Sequence, residues 1–243
     1  MLREQFPGLG TVFSTPIGEN VGNAYDFLVK YCRAVGQPVQ FFPATAADVE
    51  NLRARFGDVE VTPVRDWFDY LYDAQDMVTF RGRRFNGQRN HIHKFRKLYP
   101  DAEYVPLTAA DEPLLERFWQ DYGAEFSKES AIAKNELRLA KEMLRHLAGD
   151  WFMAGGLLHE GRLVAISMGE QCGSTMQVHI EKALYSYPGA YPTMVQEFAR
   201  HCDDSVRWMN REDDARDKGL RTSKLQYLPD HLGGKVRIEA GTE

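Results

Sequence analysis

The chain has 243 residues, a net charge of -5 and 43% apolar residues. Those values fit a globular protein with one large or two small cores. Cys32, Cys172 and Cys202 are too few and too scattered for a disulfide or metal framework, which predicts a reducing cytoplasm. The first residues lack the apolar core of a signal peptide, and the longest apolar stretch, Trp151 to Leu158, is far too short to span a bilayer.

In chain order, Ala24 to Val35 carries Phe27, Leu28, Tyr31 and Val35 at helical spacing, with Gly36 as its C-terminal cap. Val39 to Phe42 reads as a strand, and Thr45 caps a second helix over Ala46 to Phe56. Val59 to Val64 and Tyr70 to Tyr72 are further strands. A basic helix follows over about Arg84 to Tyr99, ended by Pro100. Tyr104 to Leu107 is a strand, and Thr108 opens a break taken as the domain boundary. Two helices, Ala110 to Phe126 and Ala131 to Leu147, precede a hairpin: Trp151 to His159, a Glu160-Gly161 turn, and Arg162 to Glu170. Thr175 to Ile180 is a strand, Tyr191 to Cys202 a helix, Val206 to Asn210 a strand, Asp217 to Tyr227 a helix and Lys235 to Glu239 a last strand.

The net charge hides an asymmetry. Arg81 to Lys97 holds seven Lys/Arg, two His and no carboxylate, so the remainder of the chain carries -5 - 7 = -12. On the basic helix Phe85, Ile92, Phe95 and Tyr99 fall within an arc of roughly 80°, while Arg89, His93, Lys94, Arg96 and Lys97 fan out beside it. The pattern predicts one packed face and a cationic flank for an anionic partner held at one place. Absence of acidic i,i+4 partners argues against a merely solvated helix. His91 and His93, two residues apart, fall on different faces and do not make a metal pair.

Two C-terminal segments put charges where strands are expected to end. They are HIEKALYSYPGAYPTMVQEFA, from His179 to Ala199, and NREDDARDKGLRTSKLQYLP, from Asn210 to Pro229. With the upstream block Tyr70 to Leu107, which contains YLY and GRRFNGQRN, they resemble the C-terminal catalytic domain of phosphatidylglycerol lysyltransferases. The resemblance runs over roughly Asp66 to Val236, with three blocks in the family's order. It implies a mixed α/β protein of two GNAT-like acyltransferase halves in tandem, residues 1–107 and 108–243, related to the Fem peptidyltransferases. The helix, helix, hairpin, strand, helix, strand, helix, strand order of the second half matches the GNAT fold.

Acyl transfer to an amine needs a proton acceptor, an oxyanion donor and a site for the donor's phosphates. Glu181 is the candidate base, and Lys182 either holds an anion or sets the charge state of Glu181. Arg211 and Asp214 follow the next strand; Asp214 suits either an ammonium or a helix N-cap, whereas Asp217 suits the N-cap. Arg221 and Lys224 share a helix face fit for a phosphate or carboxylate. Tyr227 is either a general acid or a packing residue. Arg84, Arg89, Asn90, Lys94 and Lys97 of the basic block are expected to bind the donor. Glu181, Lys182, Arg211, Arg221, Lys224 and Tyr227 are expected to line one cavity facing Arg84 and Arg89.

The loop that would cradle a coenzyme A pyrophosphate reads EKALYSYPGAYPTM. It offers one glycine, Gly189, and two prolines, Pro188 and Pro192, and a proline has no N–H for a phosphate. The resemblance therefore implies an aminoacyl-tRNA as donor substrate, with no tightly bound cofactor or metal, and a small-molecule, peptide or lipid-headgroup acceptor. Two alternatives stand beside it: an acyl-CoA-dependent N-acyltransferase, and a non-catalytic binding protein on a degenerate GNAT fold.

Overall fold

A computed structural model describes residues 1–6, 8–125, 130–146 and 151–241, with only the backbone of residues 130–136 and 146. The expected helix ends at Phe126 and Leu147 lie outside the described residues. The protein is mixed α/β, with two mixed sheets. It divides into two compact units: Met1–Asp69 with Asp213–Thr222 and Leu232–Glu243, and Tyr70–Glu212 with Ser223–His231.

The first unit holds a five-stranded sheet in the order β1-β2-β3-β12-β4, formed by β1 (Arg3–Phe6), β2 (Gly10–Phe13), β3 (Val39–Ala44), β4 (Val59–Pro63) and β12 (Val236–Ala240). Helices α1 (Val21–Val35) and α2 (Ala46–Phe56) supply Leu28, Cys32, Val49 and Leu52 to a core that also contains Phe41 and Ile238. Gly36 ends α1 in the left-handed conformation, φ 67°, and its N–H bonds back to the last turn. Thr45 caps α2 as the sequence predicts, and Asp48 completes a reciprocal capping box with it. The strand expected over Lys235 to Glu239 exists, but it belongs to this sheet, antiparallel to both β3 and β4, and not to a self-contained C-terminal half.

The second unit is built on a seven-stranded sheet, order β11-β5-β10-β9-β8-β7-β6. Its strands are β5 (Asp69–Asp73), β6 (Glu103–Pro106), β7 (Phe152–His159), β8 (Arg162–Cys172), β9 (Thr175–Ala183), β10 (Trp208–Asn210) and β11 (His231–Gly233). The hairpin β7–β8 turns at Glu160 and Gly161, both at positive φ. Its strand β8 is apolar on both faces from Leu163 to Ile166, as befits a strand buried on both sides. One face is covered by α3 (Ala74–Thr79), α4 (Asn86–Leu98) and α7 (Ala190–Arg200), through Met77, Ile92, Phe95, Met194 and Phe198. The other is covered by α5 (Glu112–Glu125) and α6 (Ser130–His146), through Leu115, Phe118, Ala140 and Leu144. At about 1.5–3 kcal/mol per buried large side chain, these two layers are the main stabilising contribution to the unit.

This arrangement moves the expected boundary. Thr108 falls inside the second unit, because β6 before it pairs with β7 after it. Tyr70 to Tyr72 and the basic helix also belong to this unit, since β5 is antiparallel to β10 and α4 packs with α7. Among the described residues no helix is long and apolar enough to cross a membrane.

Candidate active site

β9 and β10 run parallel, Trp208 to Asn210 opposite Thr175 to Gln177. Parallel neighbours need a crossover, and α7 supplies it. The strand expected to end at Ile180 continues to Ala183, with Glu181 opposite Ser167 and Lys182 opposite Ile166. Consecutive strand residues point to opposite faces. Glu181 therefore reaches the α7 face, while the Lys182 ammonium lies 5.5 Å from the Tyr122 ring centroid, on the α5 face. The two point to opposite faces of the sheet, so Lys182 does not join Glu181 in one cavity.

The partner of Glu181 is Arg211, immediately after β10. Their side chains are 8% and 4% exposed and form an ion pair. Tyr191, in the first turn of α7, donates its hydroxyl to Glu181 Oε2 at 2.9 Å, and Arg211 Nη2 donates to that hydroxyl at 2.8 Å. The guanidinium is ringed by Tyr227, Tyr72 and Tyr191, at 4.4, 5.4 and 5.6 Å from the ring centroids. Burial opposes the charge of Arg211, yet Glu181 and the tyrosine oxygens raise its pKa well above the usual value. Burial, then Glu181, raises Tyr191 in the same way. Tyr227 is also raised, chiefly by burial, so it is a phenol at neutral pH. The arrangement provides one buried carboxylate, one fixed guanidinium and protonated hydroxyls, enough to orient a polar group and relay a proton.

Lys224 lies under this cluster. Its ammonium donates to the carbonyl oxygens of Arg211 and Glu212, the latter at 3.1 Å, and its own carbonyl accepts from the Tyr72 hydroxyl at 2.9 Å. It thus ties α8 (Lys218–Gln226) to the end of β10. Glu212 adopts φ 55°, and its carboxylate meets His179 Nδ1 at 2.7 Å, while His179 Nε2 is 3.5 Å from Glu170. His179 is the extra residue of a β-bulge: Met168 faces Ile180 and Gly169 faces Val178. The hydrogen bond to Glu212 raises its pKa, against the opposing effect of burial.

Asp214 and Arg221 belong to the first unit. Asp214 is fully buried and accepts from Arg221 Nε and Nη2 at 2.7 and 2.8 Å, and Arg221 also reaches Asp66 at 2.7 Å. The carboxylate expected to hold an ammonium is thus bonded to Arg221. Asp217 accepts from the Leu220 N–H at 2.7 Å, the N-cap role read from the sequence.

The basic block is more varied than its composition suggests. Arg84 pairs with Asp76. Arg89 clamps the preceding turn through the carbonyls of Phe80 and Gly82 and the side chain of Asn86. Arg96 pairs with Glu197 on α7. Asn90, Lys94 and Lys97 are exposed on the side of α4 away from Ile92 and Phe95.

The loop after β9 has a distinct chemistry. The Tyr185 and Ser186 N–H groups donate to the Glu125 carboxylate at 2.6 and 3.2 Å. Gly189, φ 91°, lies against α4: a Cβ there would stand 2.2 Å from the His91 carbonyl oxygen. Sequence reading missed Tyr72, Tyr191, His179 and Glu125. Tyr191 and His179 lie inside the quoted motif, where helix and strand phase could have marked them; Glu125 gives no local signal.

A search of curated proteins finds a Mycoplasmoides gallisepticum protein of uncharacterised function, 22% identical over 199 residues. The match covers 81% of this chain, which spans only 63% of that relative's length. A crystal structure of a conserved Bacteroides thetaiotaomicron protein of unknown function superposes with a TM-score of 0.81 at 28% identity, covering 96% of this chain and 80% of that one. The C-terminal domain of an Agrobacterium fabrum protein assigned as lysylphosphatidylglycerol synthetase gives 0.63 at 10% identity, covering 95% and 78%. L-PGS from Bacillus licheniformis gives 0.56 at 13% identity, covering 89% and 72%. At these identities the last two show a shared fold. The family model described as phosphatidylglycerol lysyltransferase, C-terminal, matches residues 2–236, and the chain belongs to that family.

Proposed function

We propose that the protein is a transferase that moves an aminoacyl group from an aminoacyl-tRNA to an amine or hydroxyl acceptor. Family membership supports the transferase reading. The observation that carries the choice of donor is the loop after β9. An acyl-CoA pyrophosphate would need the N–H groups of this loop. Those of Tyr185 and Ser186 are bonded to Glu125, and Gly189 is pressed on the His91 carbonyl. An RNA donor has no such requirement, since its backbone can be gripped by exposed cations. Lys94 and Lys97, with Asn90 between them around α4, suit that role better than Arg84 or Arg89, whose guanidinium groups hold the protein's own groups.

In this reading Glu181 accepts the proton of the attacking amine or hydroxyl through the Tyr191 hydroxyl, and Arg211 steadies the charge that develops on the ester carbonyl. Tyr227, protonated and stacked on Arg211, is the proton source for the leaving ribose hydroxyl. The test is to mix the purified protein with tRNA charged with a radiolabelled amino acid, and separately with acetyl-CoA, in the presence of amine and lipid-headgroup acceptors. Transfer from charged tRNA is expected. Transfer only from acetyl-CoA would replace the reading with acyl-CoA-dependent acylation, and binding without transfer from either donor would favour a non-catalytic role.

A further inference from the structure

The sequence pattern assigns Arg89 to a ligand phosphate, but its guanidinium holds the turn from Phe80 to Phe85 instead. Nη1 donates to the carbonyls of Phe80 and Gly82, the latter at 2.6 Å, and Nη2 donates to Asn86 Oδ1. Arg84 braces the same turn: it pairs with Asp76 of α3 and lies over the Phe85 ring, 4.9 Å from its centroid. What the turn holds is Phe80. This residue ends α3 in the left-handed region, φ 43°, with its N–H bonded to the Asp76 carbonyl. A non-glycine residue there costs of order 1–3 kcal/mol and persists only where the surroundings over-determine it. Arg89 supplies part of that constraint, because one carbonyl it grips belongs to the strained residue itself.

The Phe80 side chain is fully buried. Its ring lies 5.5 Å from Phe85 and 5.9 Å from Tyr227, between centroids. Tyr227 is in turn the ring nearest to Arg211, 4.4 Å from the guanidinium carbon to the centroid. Among the described residues, the Arg211 side chain forms hydrogen bonds through Nη2, to Glu181 and Tyr191, whereas Nε and Nη1 are buried without a hydrogen-bond partner. Bonds from one nitrogen fix one corner of the guanidinium and leave its plane to be set by packing. The closest ring face carries the largest share of that packing. Arg89, Phe80, Tyr227 and Arg211 thus form a chain of successive contacts, all within the second unit.

We infer that Arg89 is a positioning residue of the candidate active site: it fixes the Phe80 turn, the turn seats Tyr227, and Tyr227 sets the plane of the Arg211 guanidinium beside Glu181. This role rests on the acyl-transfer reading for what Tyr227 and Arg211 do to a substrate, and on the contacts alone for their placement. An arginine that grips a donor phosphate acts on donor affinity. One that seats Tyr227 and Arg211 acts on turnover.

The test uses the full chain, labelled with 3-fluorotyrosine and read by fluorine NMR, with the lines of Tyr227 and Tyr31 assigned by Tyr227→Phe and Tyr31→Phe. In Arg89→Met the Tyr227 line is expected to shift or broaden, while that of Tyr31, in the first unit, stays in place. Arg89→Lys, whose ammonium can still donate to the two carbonyls, is expected to bring the Tyr227 line back toward its parent position. In transfer from charged tRNA, Arg89→Met should lower kcat at least about tenfold and leave the donor KM within about twofold, as for a displaced catalytic group with donor binding intact. Arg89→Lys should recover part of that loss. If Arg89→Met does not fold, Asn86→Ala is read in its place, since it releases one end of the guanidinium from an exposed position and should move the same line. An unmoved Tyr227 line in the folded variant overturns the inference, as does a raised donor KM with unchanged kcat, which returns Arg89 to donor binding. A moved Tyr227 line without transfer from any donor upholds the placement and refutes the acyl-transfer reading alone.

Discussion

Replacing Gly189 by alanine tests whether this loop glycine serves packing or ligand binding. The new Cβ would stand 2.2 Å from the His91 carbonyl oxygen and 3.0 Å from Phe95 Cβ. The first contact is with helix backbone, which cannot swing aside as a flexible side chain can. The residue also sits at φ 91°, where an L-side chain costs of order 1–3 kcal/mol. Overpacking of this kind adds typically 1–3 kcal/mol, so the expected loss is about 2–6 kcal/mol. Against an ordinary stability of roughly 5–15 kcal/mol, that is a large fraction. Urea unfolding followed by tryptophan fluorescence should show a lower midpoint with little change in slope. A loss under about 1 kcal/mol would refute the tight α4–α7 contact. Unchanged stability with impaired donor binding would restore a phosphate-loop role.

Three further outcomes are expected. Glu181→Gln and Arg211→Met each leave a buried charge uncompensated and should cost about 3–5 kcal/mol, while the double variant should cost less than their sum; strict additivity in a denaturation cycle would contradict the ion pair. His179 has a raised pKa, so its bridge to Glu212 and Glu170 stabilises fully below the unfolded value of about 6.5 and fades as pH rises through the folded value. A His179→Asn variant should lose that dependence of melting temperature on pH, and an unchanged profile would remove the bridge from the account. Lys94→Ala with Lys97→Ala should weaken RNA binding and flatten its salt slope by about one to two units, whereas Arg89→Ala should lower stability; an unaltered slope in the lysine variant would exclude this face.

Local elements were legible where short-range chemistry decides them. Gly36, Thr45 and the Glu160-Gly161 turn carry their own conformational signals, and the structure uses all three as expected. Partnership between distant segments was not legible. The last strand alternates as a strand should, but nothing in Val236 to Ala240 names β3 and β4 as its neighbours. α3 was missed because it has only six residues, although Asp73 marks its start by accepting from the Gln75 and Asp76 N–H groups. At the site, Glu181 and Arg211 were found as charged residues beside strands. Their pairing was not, and reading Glu181 and Lys182 as one cluster overlooked the alternation that sends them to opposite faces. The basic block misled for a related reason: its composition shows no acid within reach, but Asp76 and Glu197 arrive from other helices.

The place of β12 in the first sheet bears on how the chain is made. Its residues, Val236–Ala240, sit between β3 and β4, which lie within the first 63 residues. A ribosome therefore releases β3 and β4 long before the strand that joins them exists. Each must wait with one edge unpaired while the whole of the second unit is synthesised, and unpaired edges are templates for aggregation. The usual order, in which the N-terminal domain folds first, does not apply here. The second unit can consolidate on the nascent chain, and the first closes only when the last strand arrives, a long-range step of the kind that slows folding. Expression yield should accordingly depend on the integrity of Val236–Ala240 far more than their number suggests.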